Sequence, residues 1–372
     1  MEACFDGKCS MNDLKVMCVV KRWEHLTPSG GYEVLARAVG AEIVRRRTDR
    51  SLTRRIAGRL WREFSHPKPY LLDYRYEDWL TETYVLGRRW WHPPDIVHVL
   101  NGDEQLDLLL RKRQLLSCPL VATFHLPPQR VRERFERVQK HLLSGIDVAV
   151  VVATNQLKAF ASWLGPDRVV YVPHGINTVQ FCPREPIRRN GSLRLLTVGH
   201  HMRNWKAIDE IIAKSREHKL DVQFDIVALE HGLSDSAHRA NVHFYKGISE
   251  ERLIQFYCEA DALLLPVHDA TATNAALEAL ACGTPVITNL VGGMPDYVDE
   301  ACGWLFEKDE VDGIVRLISD ICREREIGWS RRSAARNKAL GFSWERVAGK
   351  MREIYAAAVT HRISELVTAE WQ

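Results

Sequence analysis

Short apolar runs alternate along the chain with stretches whose apolar residues recur at helical spacing. In the first half the runs are Val16–Val20, Ile96–Leu100, Leu120–Phe124, Val148–Val152 and Val169–Val172. Helical spacing covers Tyr32–Arg46, Glu104–Leu116 and Gln129–Leu143 between them. In the second half the runs are Leu193–Val198, Val222–Val227, Val242–Tyr245, Ala262–Leu265 and Pro285–Thr288. The intervening helical patterns are Ile208–Glu217, Ser249–Glu259 and Asn274–Ala281. Near-continuous apolar strands separated by helices predict parallel sheets covered on both faces, because each parallel connection needs a crossover. Phe181–Ser192 holds two prolines, a glycine and charges without an apolar period. It reads as the linker between two doubly wound α/β domains. Ser343–Thr368 reads as one long helix with Trp344, Val347, Met351, Ile354 and Tyr355 on one face.

Composition narrows the function classes. A chain of 372 residues has room for two domains, and 46% hydrophobic with 27% charged residues is ordinary for a globular protein. The net charge of +3 is too small to argue for nucleic acid. No apolar run approaches the ~20 residues that cross a bilayer. The start, MEACFDGKCSMND, lacks the apolar core of a signal peptide. Nine cysteines form no CxxC pair, and Cys18, Cys258, Cys282 and Cys302 sit in apolar or small-residue runs. Free thiols in a reducing, cytoplasmic setting are expected, with no metal. Cys4 and Cys9 lack the second pair that a zinc site needs.

One segment departs from the average. Val44–Phe64 carries eight arginines (Arg45, Arg46, Arg47, Arg50, Arg54, Arg55, Arg59 and Arg62) against Asp49 and Glu63, a local excess of six positive charges. Leu52, Ile56, Leu60 and Phe64 recur every four residues, with Trp61 beside them. A basic helix with an apolar aromatic stripe suits an anionic membrane surface, which would place the protein peripherally at the inner membrane face. The alternative is a solvated helix whose stripe packs on its own domain.

The densest chemistry lies in Asp261–Val298, DALLLPVHDATATNAALEALACGTPVITNLVGGMPDYV. It reads as strand, polar turn, Ala/Leu-rich helix, second strand and Gly-Gly loop. A helix that starts in small residues lets backbone N–H groups and the helix dipole approach a phosphate. Glu278, further along that helix, is an acceptor within reach of a ribose hydroxyl. The stretch therefore reads as half of a nucleotide site.

Several motifs, in order, carry a resemblance. They are Ser29-Gly30-Gly31 after the first strand, Thr123-Phe124-His125 at a strand end, and YVPHGINTVQF at Tyr171–Phe181. Val198-Gly199 follows with Arg203 and Lys206, then ACGTPVI (Ala281–Ile287), VGGMPDYV (Val291–Val298) and FSWERV (Phe342–Val347). Over nearly its whole length the chain resembles glycosyltransferase family 4, retaining enzymes with the GT-B fold. The resemblance implies two Rossmann-like domains facing across a cleft. The N-terminal, acceptor-side domain would span 1–185 plus 345–372, and the nucleotide-sugar domain 192–344.

The resemblance also implies roles. Gly30 and Gly31 would face the donor diphosphate or acceptor, His125 would touch the donor sugar, and Arg203 and Lys206 would neutralise the leaving diphosphate. The family's arginine usually follows the glycine directly, where this chain has His200. Thr273, Asn274 and Ala275 stand where backbone amides meet the diphosphate, and Asn274 is also placed to cap the helix. Glu278 matches the second glutamate of a Glu–seven residues–Glu motif, implied to hold the ribose. The first falls on Ala270, with Asp269 one residue early as a substitute. No Asp-x-Asp motif is present, in keeping with a metal-independent site that uses a nucleoside diphosphate sugar such as a UDP-sugar as co-substrate and no cofactor. The acceptor would be a sugar, glycan or lipid-linked hydroxyl in polysaccharide, glycolipid or glycoconjugate biosynthesis. A GT-B phosphorylase or epimerase and a non-catalytic sugar-nucleotide-binding protein remain the alternatives. His98, inside a strand, reads as a satisfied core histidine.

Overall fold

The computed structural model describes residues 14–21, 31–45, 52–64, 74–88, 90–135, 140–184, 191–229, 232–233 and 241–370. Gly30, Cys4, Cys9, Arg46, Arg47 and Arg50 lie outside them. The chain divides into two compact units, Met1–Pro173 with Trp344–Gln372, and His174–Ser343. The stretch from His174 to Cys182 therefore belongs to the second unit, and Phe181 is fully buried in that unit's core.

The first unit holds a six-stranded parallel sheet of order β2-β1-β3-β4-β5-β6. Its strands are β1 (Val16–Val20), β2 (Glu42–Arg45), β3 (Ile96–Val99), β4 (Leu120–Phe124), β5 (Val148–Val151) and β6 (Val169–Tyr171). The helices before the second unit are α1 (Glu33–Ala38), α2 (Leu52–Phe64), α3 (Tyr76–Arg88), α4 (Asp107–Arg111), α5 (Pro128–Phe135), α6 (Lys140–Leu143) and α7 (Thr154–Leu164). The four described central strands are buried on both faces, as their apolar runs require. Two apolar cores flank the sheet.

The second unit repeats the plan with order β12-β11-β10-β7-β8-β9. Its strands are β7 (Leu193–Val198), β8 (Val222–Val227), β9 (Val242–Tyr245), β10 (Ala262–Leu265), β11 (Val286–Asn289) and β12 (Gly303–Phe306). Its helices are α8 (Trp205–Glu217), α9 (Glu250–Glu259), α10 (Asn274–Ala281), α11 (Met294–Tyr297), α12 (Val311–Arg323), α13 (Glu326–Trp329) and α14 (Arg332–Gly341). The chain runs outward from β7 to β9, then returns to β10 on the other side of β7. That reversal is a topological switch point, the place where doubly wound sheets bind ligands beyond their strand ends.

Three expectations change. The helical pattern Tyr32–Arg46 is a short helix, α1, followed by strand β2. The terminal pattern is two helices, α15 (Trp344–Val359) and α16 (Ile363–Glu370), broken where His361 takes φ +56°. The basic segment Val44–Phe64 is also not one helix, since Val44 and Arg45 belong to β2 and Arg45 pairs with Glu33 at 2.6 Å. On α2, Trp61 packs inward beside Tyr74 and Tyr76, whereas Ile56 and Leu60 are about half exposed, at 49% and 51%.

Candidate functional site

In the second unit, the loops after β7, β10 and β11 are laced together at the switch point. β7 is followed by Gly199 at φ +80°, where a side chain would meet the Arg203 guanidinium at 3.0 Å. Glycine is needed there both for the left-handed backbone and for that close approach. The turn that follows bridges to the β10 loop: Arg203 pairs antiparallel with Val267, His268 N donates to Met202 O at 2.9 Å, and Asn204 N to Pro266 O at 2.9 Å. Asn289, at the end of β11, closes the other side. Its Oδ1 accepts from Val267 N and its Nδ2 donates to Val267 O, both at 2.8 Å. Gly293 N donates to Ala270 O at 2.8 Å, tying the Gly-Gly loop to the position where the family has its first glutamate. Asp269 turns its Oδ1 back to Ala270 N at 2.8 Å.

Two helices start from these loops. Asn204 caps α8 by accepting from Ala207 N at 3.1 Å. Thr273 caps α10 by accepting from Ala276 N at 3.2 Å, so the cap is Thr273, and Asn274 is the first helical residue. Ala275 is buried. Both helices thus present their N-terminal N–H groups at the carboxyl edge of adjacent strands, a setting that favours an anion.

Arg203 is turned inward. It is buried, its Nε and Nη2 donate to Val198 O at 2.9 and 2.8 Å, and its Nη1 donates to His201 O at 3.1 Å. Burial draws its pKa down to about 10, against the pull of Tyr257 and Glu278. Lys206, in the first turn of α8, is exposed and has no ion pair among the described residues. Glu278 is buried on α10 and accepts the Tyr257 hydroxyl proton at Oε2, 2.8 Å away. Burial raises its pKa to about 7, against the Tyr257 hydrogen bond and the Arg203 charge.

The first unit has its own cluster at the carboxyl edge of its own sheet. Gly31 takes φ +84° ahead of α1. His125, just past β4, donates from Nε2 to Leu100 O at 2.6 Å, which leaves Nδ1 as the acceptor nitrogen. Its ring meets Tyr32 edge-on, with centroids 4.3 Å apart. Burial lowers its pKa to about 4, so it is neutral at physiological pH. Asp103, not singled out by sequence, receives the His125 N–H at 2.6 Å and sets the backbone that carries the ring. Burial lifts its carboxyl to about 7. Next to it Glu104 pairs with Lys21 and with Arg134. His98 is satisfied inside the core by Tyr355 Oη and Thr123 Oγ1, each at 2.7 Å.

Comparison with known proteins meets this geometry. The sequence models described as "Glycosyltransferase Family 4" and "Glycosyl transferases group 1" match residues 29–180 and 192–324. The chain belongs to the group 1, family 4 glycosyltransferases. It is 25% identical to an MMP alpha-(1->4)-mannosyltransferase of Mycolicibacterium hassiacum over 71% of each chain. It is 29% identical to a D-inositol 3-phosphate glycosyltransferase of Geodermatophilus obscurus, over 74% of this chain and 69% of the relative. A match to the same kind of enzyme from Mycobacteroides abscessus, 31% identical, spans 39% of this chain and only 32% of that relative. Sucrose-phosphate synthase from Thermosynechococcus elongatus shares the fold with TM-score 0.69 at 17% identity, over 92% of this chain and 98% of that one. Anabaena HepE, solved in complex with UDP-glucose, gives 0.66 at 13% identity, over 92% and 100%. The fold is GT-B, built from two Rossmann-like units, and the protein is a glycosyltransferase. No helix among the described residues is long and apolar enough to cross a membrane, and none of them group as three metal-binding side chains.

Proposed function

We propose that this glycosyltransferase moves a sugar from a nucleoside diphosphate sugar to an acceptor hydroxyl, with retention and without a metal ion. The observation that carries the reading is the switch-point lattice: two capped helix starts, an exposed lysine and one buried carboxylate on three interlocked loops. In this reading Glu278 accepts from the ribose, while Lys206 and the first N–H groups of α10, around Thr273, Asn274 and Ala275, meet the diphosphate. Asp269 stands nearest the sugar-side position vacated at Ala270. Arg203 holds the loop in shape rather than reaching the phosphate. Neutral His125 orients the donor sugar, with Gly30 and Gly31 close to the substrates. The acceptor hydroxyl attacks the anomeric carbon from the face the phosphate leaves. The C–O bond to phosphate breaks, and the departing phosphate takes the acceptor's proton. That route needs no pair of carboxylates at the reacting carbon.

The UDP-glucose bound to HepE supports UDP as the first nucleotide to try, and the D-inositol 3-phosphate glycosyltransferase relative supports a polyol phosphate among the acceptors to try. The test is thermal stabilisation by UDP-, GDP- and ADP-sugars, followed by acceptor-dependent release of the nucleoside diphosphate in the presence of EDTA. A donor at 100 times its dissociation constant adds ~2.7 kcal/mol. That gain should vanish in Glu278→Ala and weaken in Lys206→Ala. No stabilisation by any donor overturns the reading, and binding without release in any acceptor extract favours the non-catalytic alternative. A phosphorylase or epimerase would instead turn over with phosphate or with donor alone.

A second reading concerns α2. Its outward Ile56 and Leu60, on a helix with four arginines and one acid, favour contact with an anionic bilayer over packing of the whole stripe on the unit's own core.

A further inference from the structure

Glu278 lies in a buried network that the reaction itself does not call for. Tyr257, on α9, is fully buried and aims its hydroxyl at Oε2 of Glu278, 2.8 Å away. Its backbone is fixed in turn: the Thr284 hydroxyl, two residues beyond Cys282 at the end of α10, donates to Tyr257 O at 2.5 Å. Full burial in the unit's core leaves the ring little freedom to swing away from the carboxylate. A carboxylate that gives one oxygen to a buried hydroxyl keeps its other oxygen, and a fixed orientation, for a ligand.

The groups around this pair can be named. Tyr257 bonds Glu278 from α9, and the charges that act on it are Glu250 at the start of α9 and Arg203 in the loop after β7, with the Cys282 thiol just past the end of α10. Arg332 and Arg336 on α14, which packs against α10, are committed to backbone oxygens of Cys258, Ala260, Phe181, Ala281 and Thr178. The Tyr257 hydroxyl and Arg203 favour the ionised carboxylate, while burial and Glu250 oppose it.

We infer that Tyr257 is the positioning residue for Glu278, its buried hydroxyl holding the carboxylate aimed at the donor in the ionised form. This rests on the proposed role of Glu278 as the ribose acceptor. The pH dependence of donor binding follows from linkage. A protonated Glu278 has lost acceptor capacity, so affinity falls as pH drops below the carboxyl's pKa. Removing the Tyr257 hydroxyl leaves burial less opposed, raises that pKa, and moves the step to higher pH.

Two measurements on the full chain separate this inference from the reading it rests on. The first needs no ligand. Urea midpoints of wild type, Tyr257→Phe, Glu278→Gln and the double variant are compared at pH 5.5 and pH 8.5. The expected coupling between the two residues is larger at pH 8.5, where Glu278 is charged, and smaller at pH 5.5. Equal coupling at both values overturns the inference, because a merely structural contact has no reason to follow the charge. The second titrates UDP-glucose, GDP-mannose and ADP-glucose, whose phosphates do not ionise in this range. Apparent affinity of the binding donor should fall below the step, by at most about tenfold per pH unit. In Tyr257→Phe the step should move upward, and in Glu278→Gln it should disappear. An unmoved step in Tyr257→Phe overturns the inference while leaving the site reading intact. A step that persists unchanged in Glu278→Gln, or no donor binding at all beside a pH-dependent coupling, overturns the ribose role instead and reduces Tyr257 to a stabiliser of a buried charge.

Discussion

Gly292 gives the sharpest mutational forecast. It sits at φ +56°, and a Cβ built there would lie 1.9 Å from Ala270 O and 2.6 Å from Asp269 Oδ1. Gly292→Ala therefore meets two penalties. The left-handed backbone costs a residue with a side chain roughly 1–2 kcal/mol. The clash is larger, since Ala270 O is a backbone atom already engaged with Gly293 N at 2.8 Å. It must retreat by more than an ångström, which breaks that bond and distorts the turn into α10. An orphaned buried group costs roughly 1–3 kcal/mol, and overpacking a similar amount. The expected loss is about 3–8 kcal/mol. Gly247 is the internal control: it lies in the same unit at φ +65° with nothing within 4 Å of its would-be Cβ. Gly247→Ala should lose only the backbone part, about 1–2 kcal/mol. Urea denaturation followed by a probe in the second unit compares the two, and donor stabilisation measured on the same samples should be lost in Gly292→Ala and kept in Gly247→Ala. Equal midpoints for the two variants would refute the claim that the Gly-Gly loop is locked onto Ala270.

Other outcomes follow from the same geometry. Thr273→Ala should cost about 1 kcal/mol by removing the α10 cap, and Thr273→Ser should restore it in thermal melts. His98 is held neutral by burial, its pKa pushed to about 3. The unfolded chain takes up this proton below about pH 6.5 and the folded chain does not, so the stabilisation is full above that pH and fades as acid is added. His98→Gln should therefore flatten the acid limb of a stability-versus-pH curve between about 6.5 and 3, and an unchanged limb would place the acid sensitivity elsewhere. For α2, neutralising Arg54, Arg55, Arg59 and Arg62 should abolish sedimentation with anionic vesicles, and Ile56→Ser with Leu60→Ser should weaken it at constant charge. Sedimentation equal to wild type in both variants would leave α2 as a solvated helix.

The ten apolar runs read from the sequence all lie in the two sheets, and the strands missed were β2 and β12. Both stand at a sheet edge. Half-solvated edge position let β2 lose the apolar signature, since it reads Glu-Ile-Val-Arg, whereas the edge strands β6 and β9 kept theirs. β12 is apolar but only four residues long and begins with glycine. The mixed pattern of β2 let it pass as the tail of a helix. His361 broke the terminal helix through a left-handed backbone that its identity does not announce. At the candidate site, Glu278 stood out as an acid in an Ala/Leu-rich helix, and Lys206 through the family resemblance. Tyr257 was not, since an aromatic on the apolar face of α9 looks like core until its hydroxyl is seen to reach a carboxylate 21 residues away. Arg203 was legible as a residue but not in its direction, which depends on the strand-end carbonyl beside Gly199.

The return of Trp344–Gln372 to the first unit orders the birth of the protein. Trp344, Val347, Met351 and Tyr355 of α15 are buried in that unit's core, and Tyr355 holds His98 in β3. The second unit is one uninterrupted stretch, His174–Ser343. On the ribosome, where segments emerge in sequence and domains fold as units, the later-made unit has all of its parts before the earlier-made one does. The first unit waits with one face of its sheet covered only in part, by α1, until α15 emerges. A chain stopped short of Trp344 would then carry a folded second unit and a first unit whose β1 and β3 still lack part of their cover, a species that chaperones would hold and proteases would clear from one end only.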